Sequence, residues 1–181
     1  MLLTAVVGLG ALSIDMFLPS LPAIAHGFSA PPATAQLTVT LFLATLAACQ
    51  LVYGPLSDRF GRRWVLIGGL GLYATAGLVC ASASTMGTLI AARVLQALGA
   101  ASGPVVARAV VRDLYERERA ARVLAYMGTA QALTPILAPV LGGYIHEGLG
   151  WRAVFFVQAG FGGLFLLLAA ALLREGNALW A

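Results

Sequence analysis

Gly54-Pro55-Leu56-Ser57-Asp58-Arg59-Phe60-Gly61-Arg62-Arg63 is a short charged run set between two long apolar segments. Its two glycines, its proline and its four charges, Asp58, Arg59, Arg62 and Arg63, predict a turn. A turn cannot sit in hydrocarbon, where exposed backbone groups find no partner. It therefore belongs at a membrane surface, and the rest of the chain can be oriented from it.

Composition agrees with a membrane protein. The 181 residues are 60% hydrophobic and 10% charged, against about 25% charged in a soluble domain. Mean hydropathy is +0.90. Apolar stretches predict six spans at about 2–25, 34–56, 64–84, 87–107, 120–145 and 153–173. Each approaches the roughly 20 residues needed to cross a hydrocarbon core about 30 Å thick. The expected fold is an all-α membrane protein with six transmembrane helices over residues 1–176, followed by a tail at 177–181. Between the spans lie a proline-containing loop from His26 to Pro32, a polar link from Ser82 to Met86 and a glycine-containing turn from Glu147 to Arg152. Residues 108–119 read as an arginine-rich loop, forming a short surface helix. A signal peptide over span 1, cut after Ala23-Ile24-Ala25, is the rival reading. The start Met-Leu-Leu-Thr has no positive charge and the apolar run contains an acid, which argues against it.

All eleven basic residues are arginine. Arg59, Arg62 and Arg63 follow span 2, Arg108, Arg112, Arg117, Arg119 and Arg122 surround the start of span 5, and Arg174 lies in the tail. Only Arg152 falls on the other side. By the positive-inside rule both termini are cytoplasmic. Topology thus explains the net charge of +4, and no nucleic-acid partner is expected. Cys49 and Cys80 lie in apolar runs without metal-ligand spacing. Gly69-Leu-Gly71-x-x-Ala74 imitates a dinucleotide fingerprint, but it lies within a span and no acid follows about 20 residues later. No nucleophile–base set or zinc motif supports an enzyme.

Two charges lie deep in the apolar segments, Asp15 in span 1 and Arg93 in span 4. Each costs at least roughly 2.5–3.5 kcal/mol at a helix centre on insertion scales. At a rise of about 1.5 Å per residue they reach similar depths, which predicts one shared polar network. It reads either as a static ion pair or as a proton switch, since desolvation favours the neutral acid and a nearby guanidinium the carboxylate. Gln50, Gln96, Gln131 and Tyr126 are either interhelical hydrogen-bonding groups or ligand contacts. At the charged turn Asp58 is placed to face a helix N-terminus, and Arg62 or Arg63 to reach Asp113. Pro135 and Pro139 kink span 5, with Gly142 and Gly143 beyond them. Gly99-x-x-x-Gly103, Gly160, Gly162 and Gly163 allow close helix approach.

The Gly54–Arg63 run resembles the cytoplasmic loop motif of the major facilitator superfamily. Arg93-Val-Leu-Gln96-Ala97-Leu-Gly99 is similar to its fourth-helix motif, with Ala97 in place of the usual glycine. Thr134-Pro135-Ile-Leu-Ala138-Pro139-Val-Leu-Gly142-Gly143 resembles its antiporter motif, with Thr134 and Ala138 in place of two glycines. Asp15-Met-Phe-Leu18-Pro19-Ser-Leu-Pro22 and Val105-Val-Ala-Arg108-Ala-Val-Val-Arg112-Asp113-Leu114-Tyr115 resemble the bicyclomycin and chloramphenicol resistance (Bcr/CflA) drug:proton antiporters. The resemblance covers the first half of a twelve-helix transporter.

The resemblance implies multidrug efflux by drug:proton antiport in a bacterial inner membrane, with the proton as coupling ion and no other cofactor. Asp15 would take proton or drug, with Arg93, Gln96, Tyr126 and Gln131 around it. Gly54, Asp58, Arg59, Gly61, Arg62, Arg63, Arg112 and Asp113 would form the cytoplasmic gate. Pro135, Pro139, Gly142 and Gly143 would shape a hinge. The implied partners are membrane lipids, a small amphipathic drug-like substrate and a second six-helix half, supplied by the same gene product, a separate chain or a second copy. A transport-inactive truncated fragment and a proton-coupled metabolite symporter or uniporter are the alternatives.

Overall fold

The computed structural model describes residues 2–173, and the expected tail at 177–181 and Arg174 lie outside them. Among the described residues, six helical stretches are long and apolar enough to cross a membrane. The six-span expectation is met.

Span 1 is assembled from pieces. They are α1 (Leu2–Val7), α2 (Leu9–Asp15), a 3-10 turn (Leu18–Ser20) and α3 (Leu21–Gly27). Pro19 and Pro22 explain the interruption after Asp15. Neither has an N–H for the carbonyl four residues back, and each ring crowds that carbonyl. The remaining spans are single helices, α4 (Pro32–Phe60), α5 (Arg62–Ala81), α6 (Met86–Leu114), α7 (Arg117–Leu149) and α8 (Trp151–Leu172). The side chain of Thr85 caps α6 by accepting the Thr88 amide at 3.1 Å, the ordinary way to satisfy a free amide at a helix start.

Two boundaries differ from expectation. The charged run is no extended turn, because α4 continues through Pro55 to Phe60 and only Gly61 interrupts the helix. Gly61 sits at φ 88°, ψ 140°, a conformation that a side chain disfavours. Gly150, at φ 82°, makes the equivalent break between α7 and α8. The arginine-rich segment 108–119 is not a separate surface helix. α6 runs on to Leu114 and α7 begins at Arg117, because Val110 and Val111 are still buried apolar positions.

α6 is the central helix. It packs against α4 and α5, α5 packs against α8, and α7 crosses span 1. Small residues allow this closeness. A Cβ on Gly99 would lie 2.5 Å from the Gly69 carbonyl oxygen and the Tyr73 amide nitrogen, and one on Gly103 would lie 2.6 Å from the Val6 carbonyl oxygen. Gly162 is pressed on Tyr73, as expected, but Gly160 and Gly163 have open space beside them. Gly69 and Gly71 lie inside α5, where Gly69 is a packing position against Ser102.

The bundle has two distinct ends. Arg62 at the start of α5 meets Asp113 near the end of α6 at 3.2 Å. Arg63 donates to the Ala170 carbonyl near the end of α8 at 3.0 Å. At the opposite end Arg152, opening α8, donates to the Ala83 carbonyl in the link between α5 and α6 at 3.1 Å.

Candidate functional site: a buried arginine at the break in span 1

Arg93 is completely buried. Its position seven residues into α6 places the guanidinium beside the break in span 1. Three aromatic rings surround it, with its central carbon 4.1 Å from the Phe42 centroid, 4.7 Å from Phe17 and 5.8 Å from Phe155. Nη1 donates to Gln96 Oε1 at 2.8 Å and Nη2 to the Ser13 carbonyl at 3.4 Å. Nε has no hydrogen-bond partner among the described residues. A desolvated cation–π contact is worth about 2 kcal/mol or more, and a hydrogen bond to a charged group about 1.5–3 kcal/mol. These contacts are of the size needed to offset the cost of the buried charge.

Arg93 therefore does not rely on Asp15. Among the described residues no ion pair includes either of them. Arg93 instead bonds the backbone of Ser13, two residues before Asp15. Asp15 is half-buried, at the last position of α2.

The network extends beyond the residues named from sequence. Gln96 Nε2 donates to Gln158 Oε1 at 3.0 Å, and Gln158 Nε2 donates to the Ser13 carbonyl at 3.2 Å. Ser13 Oγ donates to the Leu9 carbonyl at 2.7 Å and lies 2.6 Å from the Tyr73 hydroxyl, which is left to act as the donor. Ser13, Tyr73, Arg93, Gln96 and Gln158 are all buried. Gln158, Tyr73 and Ser13 escaped the sequence reading. Equal depth would have found Gln158, because α6 and α8 start at the same end and Arg93 and Gln158 each lie seven residues in.

Other sequence candidates are spread more widely. Tyr126 is 68% exposed on α7, and Gln50 is exposed on α4. Gln131 meets only the distant end of Arg108, at 3.5 Å. Neither Tyr126 nor Gln131 joins the Arg93 network.

At the arginine-rich end Arg62 is the hub. It pairs with Asp58 at 2.7 Å across the Gly61 break and with Asp113 at 3.2 Å, and it donates to Ser57 Oγ at 2.6 Å. Ser57 in turn donates to the Gly54 carbonyl at 2.9 Å. Asp58 makes no cap on α5. Arg63 turns to Ala170 and Trp64, leaving Asp113 to Arg62. Arg59 lies over Phe60, and Arg112 is exposed on the last turn of α6. Beyond its chain neighbours and its own helix backbone, no atom of the described residues comes within 4 Å of the position of a Cβ on Gly54.

On α7, Pro135 is exposed and Pro139 half-buried, both inside the helix. Gly142 is pressed against the backbone of Met16, whereas Gly143 faces open space. Met16, Ala138 and Val154 form a small apolar cluster there. The Pro139–Gly142 segment thus packs on the residue next to Asp15.

Residues 3–178 match the family model described as Major Facilitator Superfamily. A chloramphenicol resistance protein of Pseudomonas aeruginosa is 39% identical over 164 residues, covering 90% of this chain and 38% of that protein. The multidrug resistance protein MdtL of Escherichia coli is 38% identical over 162 residues, covering 90% of this chain and 41% of that protein. The chain thus spans about two fifths of the length of these curated relatives. A bacterial homologue of the human lysosomal transporter Spinster, inward-facing and unoccupied, superposes with a TM-score of 0.82 at 19% identity, over 96% of this chain and 42% of that one. A peptide transporter in complex with alafosfalin superposes at 0.75 with 16% identity, over 93% of this chain and 37% of that one. Both show the fold. Six apolar spans, the Gly61 break with its arginine hub and a model match along nearly the whole sequence converge: this chain is a multi-pass membrane protein of the major facilitator superfamily, a family of transporters and not of enzymes.

Proposed function

We propose that the chain is the N-terminal half of a twelve-helix multidrug transporter of the Bcr/CflA type, which expels drug in exchange for protons across a bacterial inner membrane. The observation that carries this reading is Asp15. It is a half-buried carboxyl at the break of an apolar span, free of any ion pair among the described residues, so it can gain and lose a proton. The names of the chloramphenicol and multidrug resistance relatives support drug as the cargo. In this reading the arginine-rich end is cytoplasmic, which agrees with the positive-inside rule and puts both termini there.

Each group then has a task. Asp15 exchanges proton and drug. Arg93 holds the span 1 backbone beside it. Asp58, Arg62 and Asp113 form a set of surface ion pairs that can break and re-form as two halves rock around a site near the bilayer midplane. Pro139 and Gly142 support the other side of the break. The substrate site is completed by a second half.

The test is reconstitution of the protein that contains this chain with its second half. Chloramphenicol added to proteoliposomes with an imposed proton gradient should drive proton release. Asp15→Asn should abolish that release. Solute accumulation together with protons would establish symport instead. Absence of any flux would overturn the transport reading.

A further inference from the structure

The break that carries Asp15 leaves a backbone carbonyl in the core without its helical donor. In an unbroken helix the Ser13 carbonyl accepts from the amide of Phe17. Here the Phe17 amide donates to the Ile14 carbonyl, at 3.1 Å. The cause is the proline that follows. Pro19 supplies no N–H to the Asp15 carbonyl and crowds it, so the chain tightens into the 3-10 turn Leu18–Ser20. Ser13 is fully buried, and its freed carbonyl needs donors from elsewhere.

Two side chains from other spans provide them, Gln158 Nε2 at 3.2 Å and Arg93 Nη2 at 3.4 Å. The orientation of Gln158 is not free. Arg93 Nη1 only donates, so Gln96 must turn its oxygen to Arg93. Its nitrogen then faces Gln158, whose oxygen must accept. That leaves the Gln158 nitrogen for Ser13. One fixed cation thus sets a directed relay that ends on the backbone of the broken span.

We propose that Gln158 is a positioning residue: by donating to the Ser13 carbonyl it ties α8 to the break in span 1 and holds the segment that presents Asp15. Gln158 is fully buried and acts through the backbone of span 1. The proposal deepens the transport reading above and rests on it for its kinetic arm alone.

The experiment compares the full-length protein with its Gln158→Met variant in lipid nanodiscs, by amide hydrogen exchange read with mass spectrometry. Methionine keeps the length and removes both polar partners. Exchange in residues 9–20 should quicken at least tenfold, while residues 86–100 change less than threefold. In proteoliposomes the maximal drug-driven rate should fall at least tenfold with the drug KM within threefold. Gln158→Glu keeps an acceptor for Gln96 but, when ionised, has no donor for Ser13. It should show the same local change, and it carries the measurement should the methionine variant not accumulate. Wild-type exchange in residues 9–20, or equal acceleration in every span, would overturn the proposal. Expected exchange changes in a protein that shows no drug-driven proton release would leave the positioning role standing and remove the transport reading.

Discussion

Arg93 is held by groups that are indifferent to protonation. Three rings, an amide oxygen and a backbone carbonyl surround it, and no carboxylate among the described residues pairs with it. A lysine keeps the charge but loses the planar fork that reaches Gln96 and Ser13 together. Arg93→Lys should therefore lower thermal stability in detergent by about 1.5–3 kcal/mol, the value of one hydrogen bond to a charged group. It should also reduce drug-driven proton release at least tenfold, and retention of both would show that charge alone suffices. The sequence exposed this site only in part. Depth arithmetic brought Asp15 and Arg93 to one level, but it counts side chains and cannot show that a proline has freed a carbonyl. The carbonyl of Ser13 became the partner because Pro19 broke the helix.

At the scale of elements, neighbouring glycines on α7 have opposite surroundings. Gly142 is buried on the Met16 backbone, and Gly143 faces open space. A methyl group at Gly142 meets backbone that cannot rotate away, so α7 must shift from span 1. Gly142→Ala should cost about 1–3 kcal/mol, as overpacking does. Gly143→Ala should be neutral or stabilise by up to about 1 kcal/mol, because alanine loses less freedom in a helix. Thermal unfolding of the two variants side by side decides this, and equal losses would show that Gly142 is not a close contact. The resemblance of the Thr134–Gly143 stretch to an antiporter motif marked these glycines as a pair. Only packing separates them, because it depends on where span 1 bends. Span number and most links were legible from apolar length and punctuation. Helix ends at the charged run were not, since Pro55 and the four charges suggest a turn while Gly61 alone makes one. The run to Leu114 was hidden for a related reason. Arg108 and Arg112 sit on exposed positions of a helix whose other side buries Ala107, Val110 and Val111.

Across the whole molecule, the outer faces of the helices fall into two kinds. The large exposed side chains of α8 beyond its first turn are Phe156, Phe161, Leu164, Leu167 and Leu172, all hydrocarbon. Such a face suits lipid tails. The exposed faces of α4 and α7 mix apolar residues such as Leu51, Ile136 and Val140 with Gln36, Gln50, Tyr126 and Tyr144. Thr40 and Thr129 on these helices satisfy themselves on their own backbone, but the glutamines and tyrosines are too long to do so routinely. Lipid offers such groups no hydrogen bonds, and each unmet polar group in hydrocarbon costs several kcal/mol. Within the proposed reading, α4 and α7 are thus the faces that meet the second half and the aqueous cavity between halves, and α8 is the lipid face. Relatives more than twice as long as this chain leave room for such a second half. Single cysteines introduced at Tyr126 and at Leu164, in the full-length protein without Cys49 and Cys80, separate the two faces. A membrane-impermeant maleimide should label the cysteine at Tyr126 at least tenfold faster than the one at Leu164, and bound drug should slow only the former. Equal labelling, or protection by drug at Leu164, would place the cavity on the wrong face and require a different pairing of halves.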